Sequence, residues 1–116
     1  MANVVREKSY LFAKRIVMLC RFLRETRGEY IISKQLMRCG SSIGANVAEA
    51  KYAQSRPDFV SKLSIALKEA SEADFWLRLL YDTGYLTKKQ YDSVMHDCDE
   101  LIKLLVSIVK TTKSNS

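Results

Sequence analysis

One proline and four glycines are all the turn-forming punctuation in 116 residues. An all-β chain needs turn residues every ten or so positions, so the scarcity favours an all-α protein. Three cysteines, Cys20, Cys39 and Cys98, are odd in number and widely spaced, with no C-x-x-C pair among them, which argues against a disulfide framework. No stretch approaches the ~18 uninterrupted apolar residues of a membrane span, and MANVVREKSY lacks a signal peptide's apolar core ahead of its charges. The expectation is a cytoplasmic protein with no membrane partner. His96 is the only histidine, so a His–His metal site within one chain is excluded; around it, Asp97, Cys98 and Asp99 fall on different helix faces. No phosphate-binding glycine loop, dinucleotide fingerprint or nucleophile elbow occurs, and no nucleophile has a recognisable base beside it. No catalytic residue, metal or cofactor is therefore expected, and the chain reads as a non-enzyme.

What is present is 47% hydrophobic residues against 28% charged, enough for one core, with a formal net charge of +6. Apolar spacing predicts four helices, over about 3–25, 34–53, 56–83 and 88–111. Val5, Phe12, Ile16, Leu19 and Leu23 mark the first, and Leu36, Ile43, Val47 and Ala50 the second. The third carries Phe59, Leu63, Ala66, Ala70, Ala73, Leu77 and Leu80 in unbroken 4-3 spacing, behind the start signal Ser55-Arg56-Pro57-Asp58. The fourth repeats that spacing from Tyr91 to Ile108, behind a capping box at Thr87 and Gln90, and its tail TTKSNS is expected to fray. Short connections force neighbours antiparallel, giving an up-down-up-down four-helix bundle in one domain over 1–116.

The apolar surface exceeds one core. Leu11, Met18 and Phe22 lie about 100° from the first seam, and Ile65, Phe75, Trp76 and Leu79 lie off the third. The surplus suggests an oligomer or partner interface, although a wide core around a central third helix also accounts for it. Glu72 sits within that second face, where an isolated carboxylate is costly, and an arginine such as Arg38 is the candidate partner.

Charge is uneven. Residues 1–54 carry 10 Lys/Arg and 4 Asp/Glu, and residues 55–116 carry 9 of each. Arg6, Lys14, Arg21 and Arg24 share one sector of the first helix with Tyr10, a strip about 27 Å long. Such a strip can follow phosphates while the tyrosine stacks on an unpaired base; a solvated basic face accounts for it equally. On the second helix Arg38, Ser42, Asn46 and Glu49 form a polar stripe beside a small-residue side of Ser41, Gly44, Ala45 and Ala48, a pattern suited to fixing helix register or to contacting a ligand.

Ile32-Ser33-Lys34-Gln35-Leu36, the run from Arg38 through Ser41-Ser42-Ile43-Gly44-Ala45-Asn46-Val47-Ala48-Glu49-Ala50, Asp58-Phe59, and Leu63-Ser64-Ile65-Ala66-x-Lys68-Glu69-Ala70-Ser71-Glu72 together resemble the bacterial four-helix-bundle proteins called 23S rRNA intervening-sequence proteins. Ala50 departs from the glycine of many members. The resemblance implies an antiparallel bundle of basic subunits assembled as a ring, commonly a pentamer, and gives Arg38, Asn46 and Glu49 an RNA-contacting or ring-forming role. Its architecture is also similar to that of the accessory variability proteins of diversity-generating retroelements, basic pentamers that bind nucleic acid and a reverse transcriptase. Two functions are expected from this: a ring-forming RNA or DNA binder, or a scaffold recruiting a polymerase-like protein with Phe75 and Trp76 as anchors.

Overall fold

The computed structural model describes residues 2–115, and of Ala2 only the backbone. Four helices, α1 (Ala2–Arg27), α2 (Ile31–Ala50), α3 (Arg56–Asp82) and α4 (Lys88–Ser114), pack side by side in chain order, and α4 closes back on α1. Neighbours run antiparallel: Cys20 meets Ser33, Glu49 meets Lys62, Cys98 meets Ala70, and Lys8 meets Glu100. The bundle measures 47 × 21 × 19 Å. Val5 near the start of α1 and Ile108 near the end of α4 line one apolar cavity of about 240 Å³, so both chain ends leave from the same end of the bundle.

The 4-3 spacing places the core as expected on α3 and α4: Leu63, Ala66, Ala70, Ala73, Leu77 and Leu80 face Val94, Cys98, Leu101 and Leu105, all buried. On α1 the seam is Val5, Ser9, Phe12, Ile16, Cys20 and Leu23; Leu19, expected inside, is half-buried beside it. A helix turns 100° per residue, so Cys20 and not Leu19 continues the stripe four residues after Ile16.

Helix ends show where local chemistry overrides pattern. Gly28 and Gly84 adopt φ of +64° and +86°, conformations open to glycine, and they stop α1 and α3. α1 thus runs two residues past the expected 25. The α3 start is as expected, with the Ser55 hydroxyl accepting from the Asp58 N–H, and the Thr87–Gln90 capping box is complete. α2 starts three residues before the expected position because the Glu29 carboxylate accepts the N–H groups of Ile31, Ile32 and Ser33 at 3.1, 2.9 and 2.7 Å. It ends at Ala50, not 53, in a tightened turn where Lys51, Tyr52 and Ala53 donate to the carbonyls three residues back. Of the tail TTKSNS, helix continues through Ser114, supported by buried Val109 and by the Arg56 guanidinium, which donates to the Asn115 carbonyl, and Ser116 lies outside the described residues.

α1 and α2 approach closely because α2 carries glycine at the contact. A methyl on Gly40 would lie 2.8 and 2.9 Å from two carbons of Ile16, and one on Gly44 would lie 3.3 Å from the Ser9 carbonyl oxygen. Gly40→Ala should gain about 1 kcal/mol of helix propensity and lose about 1–3 kcal/mol to overpacking against a stiff β-branched neighbour. The expected net is destabilisation, read as a lower urea midpoint; an unchanged or higher midpoint refutes the close contact. Glu29→Ala should cost about 1–2 kcal/mol and accelerate amide exchange at Ile31–Ser33 while leaving α4 protected.

Candidate nucleic-acid interface

The basic strip of α1 lies along the outer side of its junction with α2. Arg6 is half-buried, and Lys14, Arg21 and Arg24 are exposed. Small residues of α2 keep the junction shallow and open, and two hollows follow it. One, of about 390 Å³, is bounded by Arg6, Tyr10 and Ala13 of α1 and by Ser41, Gly44, Ala45 and Ala48 of α2. The other, of about 440 Å³, is bounded by Val17, Arg21, Arg24, Glu25, Tyr30 and Met37. Lys34 joins Arg24, Tyr30 and Met37 around an adjoining depression.

Cations bridging two other junctions, by contrast, meet carboxylates. Lys8 pairs with Glu100 and Arg15 with Asp97, both joining α1 to α4; Lys62 pairs with Glu49, and Lys88 with Asp92. Among the described residues, Arg6, Lys14, Arg21, Arg24 and Lys34 take part in no ion pair. Instead Arg6 donates to the Asn3 side chain, Arg21 contacts the Met18 sulfur, and Lys14 and Arg24 lie 5.9 and 5.7 Å from the ring centres of Tyr10 and Tyr30.

Arg38 is separate from this strip. It faces α3, where it pairs with Glu69 at 3.2 Å and with Glu72, so the structure supplies the arginine that Glu72 calls for. The Trp76 indole N–H also donates to Glu72, at 2.9 Å. Together the Trp76 N–H and the Arg38 guanidinium hold the Glu72 carboxyl below the usual carboxylate range. The polar stripe of α2 therefore runs along the α2–α3 junction: Arg38 and Glu49 reach across to α3, and the Asn46 side-chain amide donates to the Ser42 carbonyl within α2.

The surplus apolar residues divide. Phe22 and Trp76 pack against the bundle's own core, and Leu79 is half-buried. Leu11, Met18, Ile65 and Phe75 stay exposed, with Phe75 edge-on to Trp76 at 4.9 Å. Val4, not singled out from the sequence, extends Leu11 and Met18 into an exposed heptad-spaced line. Tyr30 was missed as well; it lies between the expected helices, and only the fold brings it beside Arg24. No three of His, Cys, Asp and Glu converge as a metal cluster among the described residues, and no helix among them is long and apolar enough to cross a membrane.

The family described as 23S rRNA-intervening sequence protein matches residues 1–107. The chain belongs to this family. Among curated proteins none matches. The chain is also similar to the crystal structure of a protein with unknown function from the S23 ribosomal protein family of Bacteroides thetaiotaomicron VPI-5482. The two are 54% identical with a TM-score of 0.92, over 94% of this chain and 97% of that one. Family and fold thus agree, and the unpaired cations lie on a scaffold shared with that protein.

The thiols are buried, Cys20 beneath the depression at Arg24 and Tyr30. Burial pushes Cys20 up to about 11, and Cys39 and Cys98 up to about 12. Because the folded thiols stay protonated while unfolded ones ionise from about 9, their contribution is complete below that pH and is lost as pH rises toward the folded values. The urea midpoint should fall between about pH 9 and 11. At neutral pH maleimide should label the thiols only in denaturant; rapid native labelling refutes their burial.

Proposed function

We propose that this member of the family is a non-enzymatic, cytoplasmic nucleic-acid-binding protein that takes up RNA or DNA along the α1–α2 junction. The observation that carries the reading is a convergence: the two hollows of the α1–α2 junction bring Arg6, Arg21 and Arg24 together with Tyr10 and Tyr30, and none of these cations is in an ion pair among the described residues. Unpaired cations at Arg6, Lys14, Arg21 and Arg24 can neutralise phosphates and release their counterions, which gives affinity that falls with salt and depends little on sequence. Arg38, committed to Glu69 and Glu72, is left out of that contact set.

Self-association belongs to the same reading. The exposed line of Val4, Leu11 and Met18 on α1 and the exposed Ile65 and Phe75 on α3 lie on different helices. Two unlike patches suit a head-to-tail contact, which closes into a ring when the rotation allows, a pentamer being the expected size. A ring repeats the basic strip and turns individually weak phosphate contacts into avidity. A second reading, recruitment of a protein partner, is favoured by Phe75, which stays 57% exposed at the edge of Trp76 as an aromatic anchor.

Light scattering coupled to size exclusion, with and without RNA at two salt concentrations, tests both parts. An oligomer that takes up RNA only at low salt is expected. Arg21→Ala with Arg24→Ala should weaken binding and make the log–log salt dependence shallower by about 1.4, about 0.7 per phosphate contact on a single strand, without changing the oligomer. Unchanged binding removes the strip, and an oligomer indifferent to RNA moves the reading to the scaffold.

A further inference from the structure

Resting on the nucleic-acid reading above, we infer that the α1–α2 junction is a single-strand site with two nucleotide subsites, each holding an unstacked base against an exposed tyrosine. A strip that only follows phosphates needs cations alone. This junction has more: each hollow combines a tyrosine, an apolar wall and an arginine. Tyr10, 65% exposed, borders the first with Gly44 and Ala48, and Arg6 lies at its side. Tyr30, 59% exposed, borders the second with Met37, Arg21 and Arg24.

Chemistry orients the guest. The first hollow is walled mainly by Ala13, Gly44, Ala45 and Ala48, which offer a base a flat apolar contact and a phosphate nothing. In the second, Val17 and Met37 give a base its apolar contact, Glu25 can accept from the exocyclic amino group of cytosine, adenine or guanine, and Arg21 and Arg24 are left for the phosphate. Bases therefore enter and phosphates stay at the rim. Each tyrosine has a cation near its ring, Lys14 at Tyr10 and Arg24 at Tyr30, so one side chain stacks while its neighbour neutralises the adjoining phosphate. Gly44 lines this first hollow, and its missing side chain lets the α1 backbone approach there, since a methyl would lie 3.3 Å from the Ser9 carbonyl oxygen. Bases paired in a duplex are stacked on one another and cannot enter; only an unpaired strand fits both hollows.

Fluorescence anisotropy at low salt, with a short mixed-sequence single-stranded RNA and a duplex of the same length, tests this. The single strand should bind more tightly. Tyr10→Leu and Tyr30→Leu should each weaken it by at least about five-fold, the low end of base-on-aromatic stacking. Tyr10→Phe, which keeps the ring, should restore binding, and the salt dependence should stay unchanged because the cations remain. Tyr52 has a cation near its ring, that of Lys51, yet borders neither hollow; Tyr52→Leu should have little effect. Circular dichroism confirms that each variant is folded. Equal affinity for strand and duplex, with tyrosine variants unchanged, overturns the subsites and leaves the basic strip standing. Wild-type protein that binds neither probe overturns both.

Discussion

The close approach of α1 to α2 at Gly40 and Gly44 governs the geometry of one half of the molecule. With no side chains in the way, Ile16 sits directly against the α2 backbone, and the Ser9 carbonyl lies within contact range of Gly44. The same closeness makes the outer side of the junction shallow and lines it with small residues, so that the polar ends of α1 side chains border open hollows and not a filled ridge. Packing density on the inside and an accessible, basic channel on the outside are thus two results of one substitution pattern, Gly-x-x-x-Gly-Ala-x-x-Ala from 40 to 48.

Electrostatics then separates the junctions. Ion pairs bridge α1 to α4 and α2 to α3, where opposite charges face each other across a seam. Surface pairs of this kind add little stability one by one. Their effect here is local: they use up charge at these two seams, whereas Arg6, Arg21 and Arg24 border the α1–α2 hollows with no carboxylate partner among the described residues. Glu72 shows how closely such a seam can be arranged, since one carboxylate serves both a neighbouring helix through Arg38 and its own helix through Trp76.

The sequence shows α3 and α4 plainly because their apolar residues keep 4-3 spacing and their starts carry Ser55 and the Thr87–Gln90 box, signals in which the residue itself does the capping. The start of α2 is opaque for the converse reason: the amides are capped by a glutamate two residues before the first helical residue, a type and place that carry no general signal, and only the folded chain brings its carboxylate onto three amides. Helix periodicity gives the directions of side chains around one axis but not the neighbour each direction meets. That is why Arg38 could be matched to Glu72 by chemistry, while its place on the α2–α3 junction, away from the α1 strip, emerges only in the fold. It is also why Phe22 and Trp76 read as surplus although the bundle absorbs them. Tyr30 falls between helices, where periodicity has nothing to say.

The chain's two ends leave from one end of the bundle, where Val5 and Ile108 share a cavity wall, and the turn carrying Tyr30 is at the other. A fluorescent label or a fused carrier placed at either end therefore emerges beside the Arg6 hollow and far from the Tyr30 hollow. The molecule is thus polar lengthwise: under the proposed reading, a strand bound at the two hollows would have one extremity next to whatever is tethered there and the other in open solvent. Distance measurements from such a tether can read which extremity is the 5′ one.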